Sequence, residues 1–293
     1  MADIRIQMGV QKVPFFSAGA SLLALIIVAL VYFPDKESAG EKTKNIREVL
    51  NGMWAAVSNL RFLSLILITA GFWAIQGQLY ASMPKYVLRM AGEGYKPEWL
   101  ANINPLIVVL FVVMVTHLVR KWKPQNSILV AMMIIPMSAI CMAASAWIHS
   151  DVSVFGLSVH PIVFMMVIGI AIQGIAECFL SPKWLEFASL QAPKGQEGTF
   201  LAFAHINTFF AWLFGFAFSG YLLRAYCPEP KTLDAATQAA HNLFLAGNDP
   251  IPEAYANAHY LWYAYIGVGL FSLISLLIFI QVTKRLDAGK VEA

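Results

Sequence analysis

Seven stretches of the chain stay apolar over about the 20 residues a helix needs to cross a bilayer. They are residues 14–33, 62–84, 103–120, 127–148, 160–190, 199–223 and 259–283, with charge, Gly and Pro concentrated between them. Lipid offers no partner to a backbone N–H or C=O, so runs of this length predict helices that satisfy their own backbone. The predicted fold class is an all-α membrane protein with about seven transmembrane helices. The fifth run carries no charge from Ile162 to Ile172, then admits Glu177, Pro182, Lys183 and Glu186 before Ala192-Pro193-Lys194-Gly195 ends it. It predicts one long helix kinked near Pro182.

Two intervals between the runs have patterns of their own. Ile46, Val49, Leu50, Met53, Trp54 and Val57 recur at helical spacing among polar residues. Residues 43–59 therefore read as an amphipathic helix on the membrane interface, the alternative being a solvated linker helix. Thr232 to Ala246 predicts a short helix stopped by Gly247. Tyr255, Tyr260, Trp262, Tyr263 and Tyr265 crowd the start of the last run, as an aromatic belt at a membrane surface would.

Composition narrows the class. The chain has 293 residues, 59% hydrophobic and 13% charged, with mean hydropathy +0.65, where a soluble domain carries about 25% charged residues. Its 20 basic and 17 acidic residues give a net charge of +3, too balanced for a nucleic-acid partner, whose binding surface must neutralise phosphates. Cys141, Cys178 and Cys227 lie far apart, with no Cys-x-x-Cys and no His spacing suited to a metal. No His-Glu-x-x-His, Gly-x-Ser-x-Gly or Gly-x-x-x-x-Gly-Lys occurs, so neither an enzyme nor a cofactor is expected. A retinal-type receptor needs a Schiff-base Lys within a span, and the one candidate, Lys183, follows Pro182 near the end of its run.

Charge also orients the bundle, because loops rich in Lys and Arg stay cytoplasmic. Loops that would share one side carry thirteen basic residues, among them Arg61, Arg120, Lys121, Lys123 and Lys194, against seven on the other. The N-terminus is predicted outside and the C-terminus in the cytoplasm of a bacterial inner (plasma) membrane. The segment before the first run has no signal-peptide pattern, so that run is expected to remain as a helix.

An ionisable side chain within a bilayer costs at least ~2.5 kcal/mol on insertion scales, so one found there faces a cavity or a partner. Glu177 is the main case. Gly169, Gln173, Glu177 and Ser181 follow at steps of four and share one helix face. A carboxylate held in low dielectric can take and release a proton or pair with a cationic group of a solute, the alternative being interhelical glue. In the sixth run His205, Thr208, Trp212, Gly215 and Ser219 form a second stripe. His205 is a candidate for a proton relay, or simply a helix-contact residue. In the second run Thr69, Trp73, Gln76 and Tyr80 share a face and Gln78 lies on another. These side chains suit a polar ligand cavity or interhelical hydrogen bonds. His117, beside Arg120 and Lys121, reads as interfacial.

Three segments resemble the proton-dependent oligopeptide transporters of the major facilitator superfamily. Phe72-Trp73-Ala74 with Gln78 five residues after the Trp is similar to that family's seventh helix, and Ile103-Asn104-Pro105-Leu106 to the start of its eighth. Glu177-Cys178-Phe179-Leu180-Ser181-Pro182, followed by Ala192-Pro193-Lys194 and Gly198, resembles its tenth helix and the loop after it. An acidic residue often precedes the Gln of the family's seventh helix, and here Gly77 stands there, so the salt bridge proposed at that place in the family is not carried over.

The resemblance covers a linker and the second six-helix half, and the first half with its Glu-x-x-Glu-Arg proton motif is absent from this sequence. It implies four regions: 1–33 with a sixth-helix-like span, a cytoplasmic linker 34–61, a six-helix half 62–285 and a tail 286–293. It further implies a secondary transporter that takes up oligopeptides or similar small solutes with protons. Glu177 would then face a peptide amino terminus, Trp73 and Gln78 would line the same cavity, and Ser181 would support the carboxylate. Gln173, Asn104, His205 and Trp212 complete the candidate substrate or proton site. The expected partners are the solute, protons, the lipid bilayer and either a missing N-terminal half or a partner membrane chain. The alternative is a transport-inactive membrane subunit that pairs with another membrane chain.

Overall fold

The computed structural model describes residues 13–31, 46–154 and 156–288. Among them seven helical segments are long and apolar enough to cross a membrane, and the only β-structure is one short hairpin. The all-α membrane class stands. The chain divides into two units, Met1–Asn51 and Gly52–Ala293. The first contains α1 (Val13–Val31), 19 residues with no charged side chain, about 28 Å long at 1.5 Å per residue.

Helix α2 (Ile46–Ser58) occupies the predicted amphipathic segment, whose residues 43–45 lie outside the described ones. In the second unit its small residues Gly52 and Ala56 are buried, whereas Trp54 is 73% exposed. A Cβ on Gly52 would touch Thr199 and Gln196 at 3.4 Å. The stretch from Gly52 to Ser58 therefore packs by its small residues and leaves Trp54 exposed.

Six of the seven candidate membrane-spanning segments among the described residues lie in the second unit. The first consists of α3 (Leu60–Gln76), a 3-10 turn at Gly77–Leu79 and α4 (Ser82–Met90); the short α5 (Pro97–Leu100) then leads into α6 (Ile103–Val119). Next come α7 (Pro124–Ala144), a hairpin of β1 (Val152–Val154) and β2 (Leu157–Val159), and α8 (Pro161–Gln191). The last two crossings are α9 (Glu197–Ala204) with α10 (Ile206–Tyr226), and α12 (Tyr260–Ala288), with α11 (Ala235–Leu245) in the connection between them. Helix α8 is central and packs on α6, α7 and α9, while α3 packs on α10 and α12.

Close approach rests on small residues, the usual means where no hydrophobic effect drives helix against helix. A Cβ on Gly169 would stand 2.8 Å from Met142 Cγ and 2.9 Å from the Ser138 carbonyl, and one on Gly269 would stand 2.7 Å from Pro136 Cγ. Pro182 lies inside α8, which runs unbroken past it. Its ring removes one backbone donor, and Ser127 of α7 donates its hydroxyl to the neighbouring Phe179 carbonyl at 2.7 Å.

Two predicted helices are interrupted instead. The second run breaks at Gly77–Leu79, where the Gln78 side chain donates to the Ala74 carbonyl at 2.8 Å. The sixth breaks at His205 because Trp184 Nε1 takes the Ala204 carbonyl at 3.2 Å while the Thr208 N–H bonds His205 O at 3.1 Å. A side chain inserted into the i→i−4 ladder is a recognised cause of such a break.

Lys183 is 3% exposed. It donates to Arg120 O at 3.2 Å and Trp122 O at 3.1 Å and pairs with Glu186 at 2.7 Å. Its ammonium closes the C-terminal end of α6, where carbonyls lack intrahelical partners and the helix dipole is negative. The side chain is thus committed to holding two helices together. Lys183→Met is expected to lower stability by about 2 kcal/mol by orphaning these acceptors, read as a drop in the melting temperature of the detergent-solubilised protein.

The predicted helix over 232–246 forms as α11. Asp234 caps it by accepting from Thr237 N–H at 3.0 Å, and Gly247 ends it at φ +77°. The Thr237 hydroxyl and N–H hold the Asp234 carboxyl below its ordinary range. His241 is buried, donates from Nε2 to Arg89 O at 2.6 Å and stacks on Tyr255 with ring centroids 4.5 Å apart. Arg89 in turn donates to the Cys227 carbonyl. Burial pushes the Cys227 thiol up to about 12, so it packs rather than reacts. The aromatic belt is corrected: Tyr260 and Tyr263 are exposed, but Tyr255, Trp262 and Tyr265 are at most 1% exposed. Trp262 meets Tyr86 edge-on at 5.5 Å, so three of the five residues belong to the core.

Candidate functional site

The site is assembled from three helices whose polar residues have no other place to go. Glu177 stands on α8, half-buried, and its carboxylate accepts from Gln76 Nε2 at the end of α3. Asn104, 6% exposed at the start of α6, donates to the same Glu177 oxygen at 3.3 Å in the amide orientation its hydrogen bonding selects, and accepts from Gly174 N–H at 3.3 Å. Proximity requires Gly174, since a Cβ there would stand 2.8 Å from Ile107 Cγ2 and 3.2 Å from Asn104 O.

The stripe on α8 divides as it descends. Gly169 meets α7, Gln173 donates to Ser138 of α7 at 3.4 Å, and Glu177 turns to α3 and α6. Ser181 is half-buried and makes no hydrogen bond to this group among the described residues. Gln76 Oε1 and Gln173 Oε1 are buried acceptors without a partner, and Trp73 Nε1 is a buried donor without one. Trp73 is half-buried, edge-on to Phe72 at 5.5 Å. Buried polar atoms left unpaired in this way call for an explanation, and a solute or water taking those bonds is one.

Gln78 goes elsewhere. It is 1% exposed, and besides Ala74 O it reaches Gly215 O of α10 at 3.5 Å and accepts from Ser82 Oγ at 2.7 Å, with Ser82 and Ser219 Oγ also 2.7 Å apart. Gln78 therefore joins α3 to α10 and does not share the Glu177 group. His205 is exposed at the break between α9 and α10, and Trp212 is 48% exposed and stacked on Phe216 at 6.0 Å. Neither reaches Glu177. Of the polar stripe on α10, Gly215 and Ser219 turn inward, together with Asn207, which donates to Thr69 at 3.2 Å.

Gln76, named from the sequence only as part of a polar face, joins the Glu177 group, and Asn207, not named there, is a further buried polar residue beside Thr69. Gln76 is the direct partner of Glu177, and its signal was its place one turn after Trp73 on a polar face. Asn207 had no signal, because the stripe through His205 and Thr208 passes beside it. Among the described residues no group of three His, Cys, Asp or Glu side chains could hold a metal ion. The chemistry available is that of a carboxylate held by two amide donors, with unpaired amide carbonyls close behind it along α8 and α3: acceptors for a proton or for a cationic donor.

Comparison with curated proteins gives no match, and comparison with solved structures gives none either. A family model does match: that of the POT family, PTR2, over residues 38–231. That span takes in α3 through α10, and with it Gln76, Asn104 and Glu177. By this match over most of its length, the chain belongs to the POT family, the proton-dependent oligopeptide transporters of the major facilitator superfamily, whose members are membrane transporters rather than enzymes.

Proposed function

We propose that the chain carries out proton-coupled uptake of oligopeptides or similar small amphipathic solutes, with Glu177 taking the proton or the solute's amino terminus. The observation that carries this reading is the half-buried carboxylate of Glu177, held between the amides of Gln76 and Asn104 and beyond reach of any Lys or Arg side chain among the described residues. An ionisable group within a span is a functional candidate by default, because an apolar residue there would cost less and a charge facing lipid would cost more. The unpaired carbonyl of Gln76 supplies a further acceptor for an ammonium group.

In this reading the six-crossing unit forms one wall of an alternating-access cavity, and the second wall comes from another six-helix bundle, either a first half or a partner membrane chain. The N-terminus lies outside and the C-terminus in the cytoplasm of a bacterial inner membrane, as the distribution of basic loops suggests.

The test is uptake of a labelled dipeptide into proteoliposomes carrying the chain, with an inward proton gradient imposed and then collapsed by an ionophore. Accumulation above the external concentration is expected with the gradient and equilibration without it. Accumulation that ignores the gradient would remove proton coupling. No dipeptide flux, together with stable co-purification of a second membrane chain, would favour the transport-inactive subunit.

A further inference from the structure

A second polar cavity lies at the end of the bundle where α7 ends and α8 and α12 begin, about 350 Å³ in volume, which is within the range of small-ligand pockets. Its polar lining comes from His149 and Asp151 before and in the hairpin, His160 at the start of α8, Asp249 after α11, and Tyr255 and His259 before α12. None of these belongs to the Glu177 group.

The charge of this lining is one-sided. No Lys or Arg lines the cavity, and neither Asp151 nor Asp249 forms an ion pair among the described residues. Asp151 accepts from Ser158 Oγ at 2.7 Å, a neutral partner that leaves its charge in place. His160 Nδ1 accepts from Ile162 N–H at 3.3 Å and so caps α8, which puts the proton of the neutral ring on Nε2. Burial pushes the His160 imidazole below its ordinary value, against the pull of Asp151. The wall behind is rigid: Tyr255 is fixed by its hydroxyl on Pro228 O at 3.0 Å and by stacking on His241, and Tyr86 is 1% exposed.

Three imidazoles and two carboxylates around one cavity invite a metal ion, but no three of them come close enough together to hold one. Spread carboxylates over aromatic walls suit instead a cation whose charge sits on an organic group. We propose that this cavity binds an organic cation, an ammonium or guanidinium group, between Asp151 and Asp249. The site is independent of Glu177 and of the transport reading. Affinity falls as pH falls, because protonation of His160 or His259 adds positive charge to a lining that also holds His149. Tyr86 and Tyr255 also line the cavity, and Tyr95 stands against the His160 ring at 5.7 Å.

The test uses the full chain in lipid nanodiscs and two probes of nearly equal shape, butylguanidinium and the neutral butylurea, with binding followed by saturation-transfer NMR. At pH 7.5 butylguanidinium is expected to bind and butylurea not. The double variant Asp151→Asn, Asp249→Asn should weaken the cation by about tenfold or more, and Glu177→Gln should leave its affinity unchanged. Both substituted side chains are exposed, and an unchanged melting temperature checks that the variant is folded. Lowering the pH of the unsubstituted protein from 7.5 to 5 gives a second reading that needs no variant and should weaken binding in the same direction. Equal binding of butylurea, an unaffected double variant, affinity that is flat with pH, no butylguanidinium binding, or displacement of the cation by stoichiometric zinc would each overturn the proposal. Loss of binding in Glu177→Gln alone would assign the cation to the other site.

Discussion

Glu177→Gln is expected to lower gradient-driven dipeptide uptake by roughly a hundredfold or more while the protein stays folded in the membrane. The substitution keeps the volume and one acceptor oxygen, so Gln76 can still donate to position 177 and the contacts of α8 with α3 and α6 persist. What disappears is the charge. Removing one partner from a buried hydrogen-bonded charge pair costs about 3–5 kcal/mol, and about 1.4 kcal/mol is a factor of ten. A loss of that size in affinity for an ammonium group is enough to stop uptake at ordinary solute concentrations. The measurement is paired: initial uptake rate with and without an inward proton gradient, and melting temperature of the same preparation. A variant that still accumulates dipeptide under a gradient, with the pH dependence of the unsubstituted protein, sinks the role given to Glu177. One that loses its melting transition identifies Glu177 as packing glue instead.

The seven spans were legible because lipid imposes a single rule, length of apolar run, that needs no tertiary information. The breaks at Gly77 and His205 were not. Each is made by a side chain that diverts a carbonyl: Gln78 within its own helix and Trp184 from another. Neither a proline nor a glycine pair marks His205, so no local pattern announces it. The same limit applied to the site. Steps of four placed Gly169, Gln173 and Glu177 on one face of α8, but a 31-residue helix meets several neighbours along its length. The face that touches α7 at Gln173 touches α3 and α6 at Glu177. Gln76 and Gln78 are two residues apart and therefore point apart on a helix. Which of them meets the carboxylate was a question of packing, and resemblance alone named Gln78. The aromatic cluster before α12 misled for a related reason: tyrosine and tryptophan serve a membrane interface and a core equally well, and only the contacts of Trp262 with Tyr86 separate the two.

Gly174→Leu should cost about 3 kcal/mol or more and abolish uptake, because overpacking at a backbone contact has no soft side chain to absorb it. The obstacle at this position is Ile107, whose Cβ would stand 2.9 Å from the new Cβ, and the Asn104 carbonyl at 3.2 Å. A β-branched residue near its backbone cannot swing aside, and the carbonyl belongs to the helix itself, so α6 must move away from α8. That motion carries Asn104 away from Glu177, where their amide and carboxylate are 3.3 Å apart. Gly174→Ala sets two effects against each other. Alanine gains about 0.5–1 kcal/mol over glycine within a helix, and overpacking costs about 1–3 kcal/mol, so a net loss near 1 kcal/mol is expected. Gly267 of α12 isolates the first effect, since a Cβ there meets nothing within 4 Å; Gly267→Ala should be neutral or slightly stabilising. Melting temperatures of the three variants in one detergent give the ordering Gly267→Ala, Gly174→Ala, Gly174→Leu from most to least stable. If Gly174→Leu melts with the unsubstituted protein, α6 and α8 are not in backbone contact, and Asn104 is not held against the carboxylate by their approach.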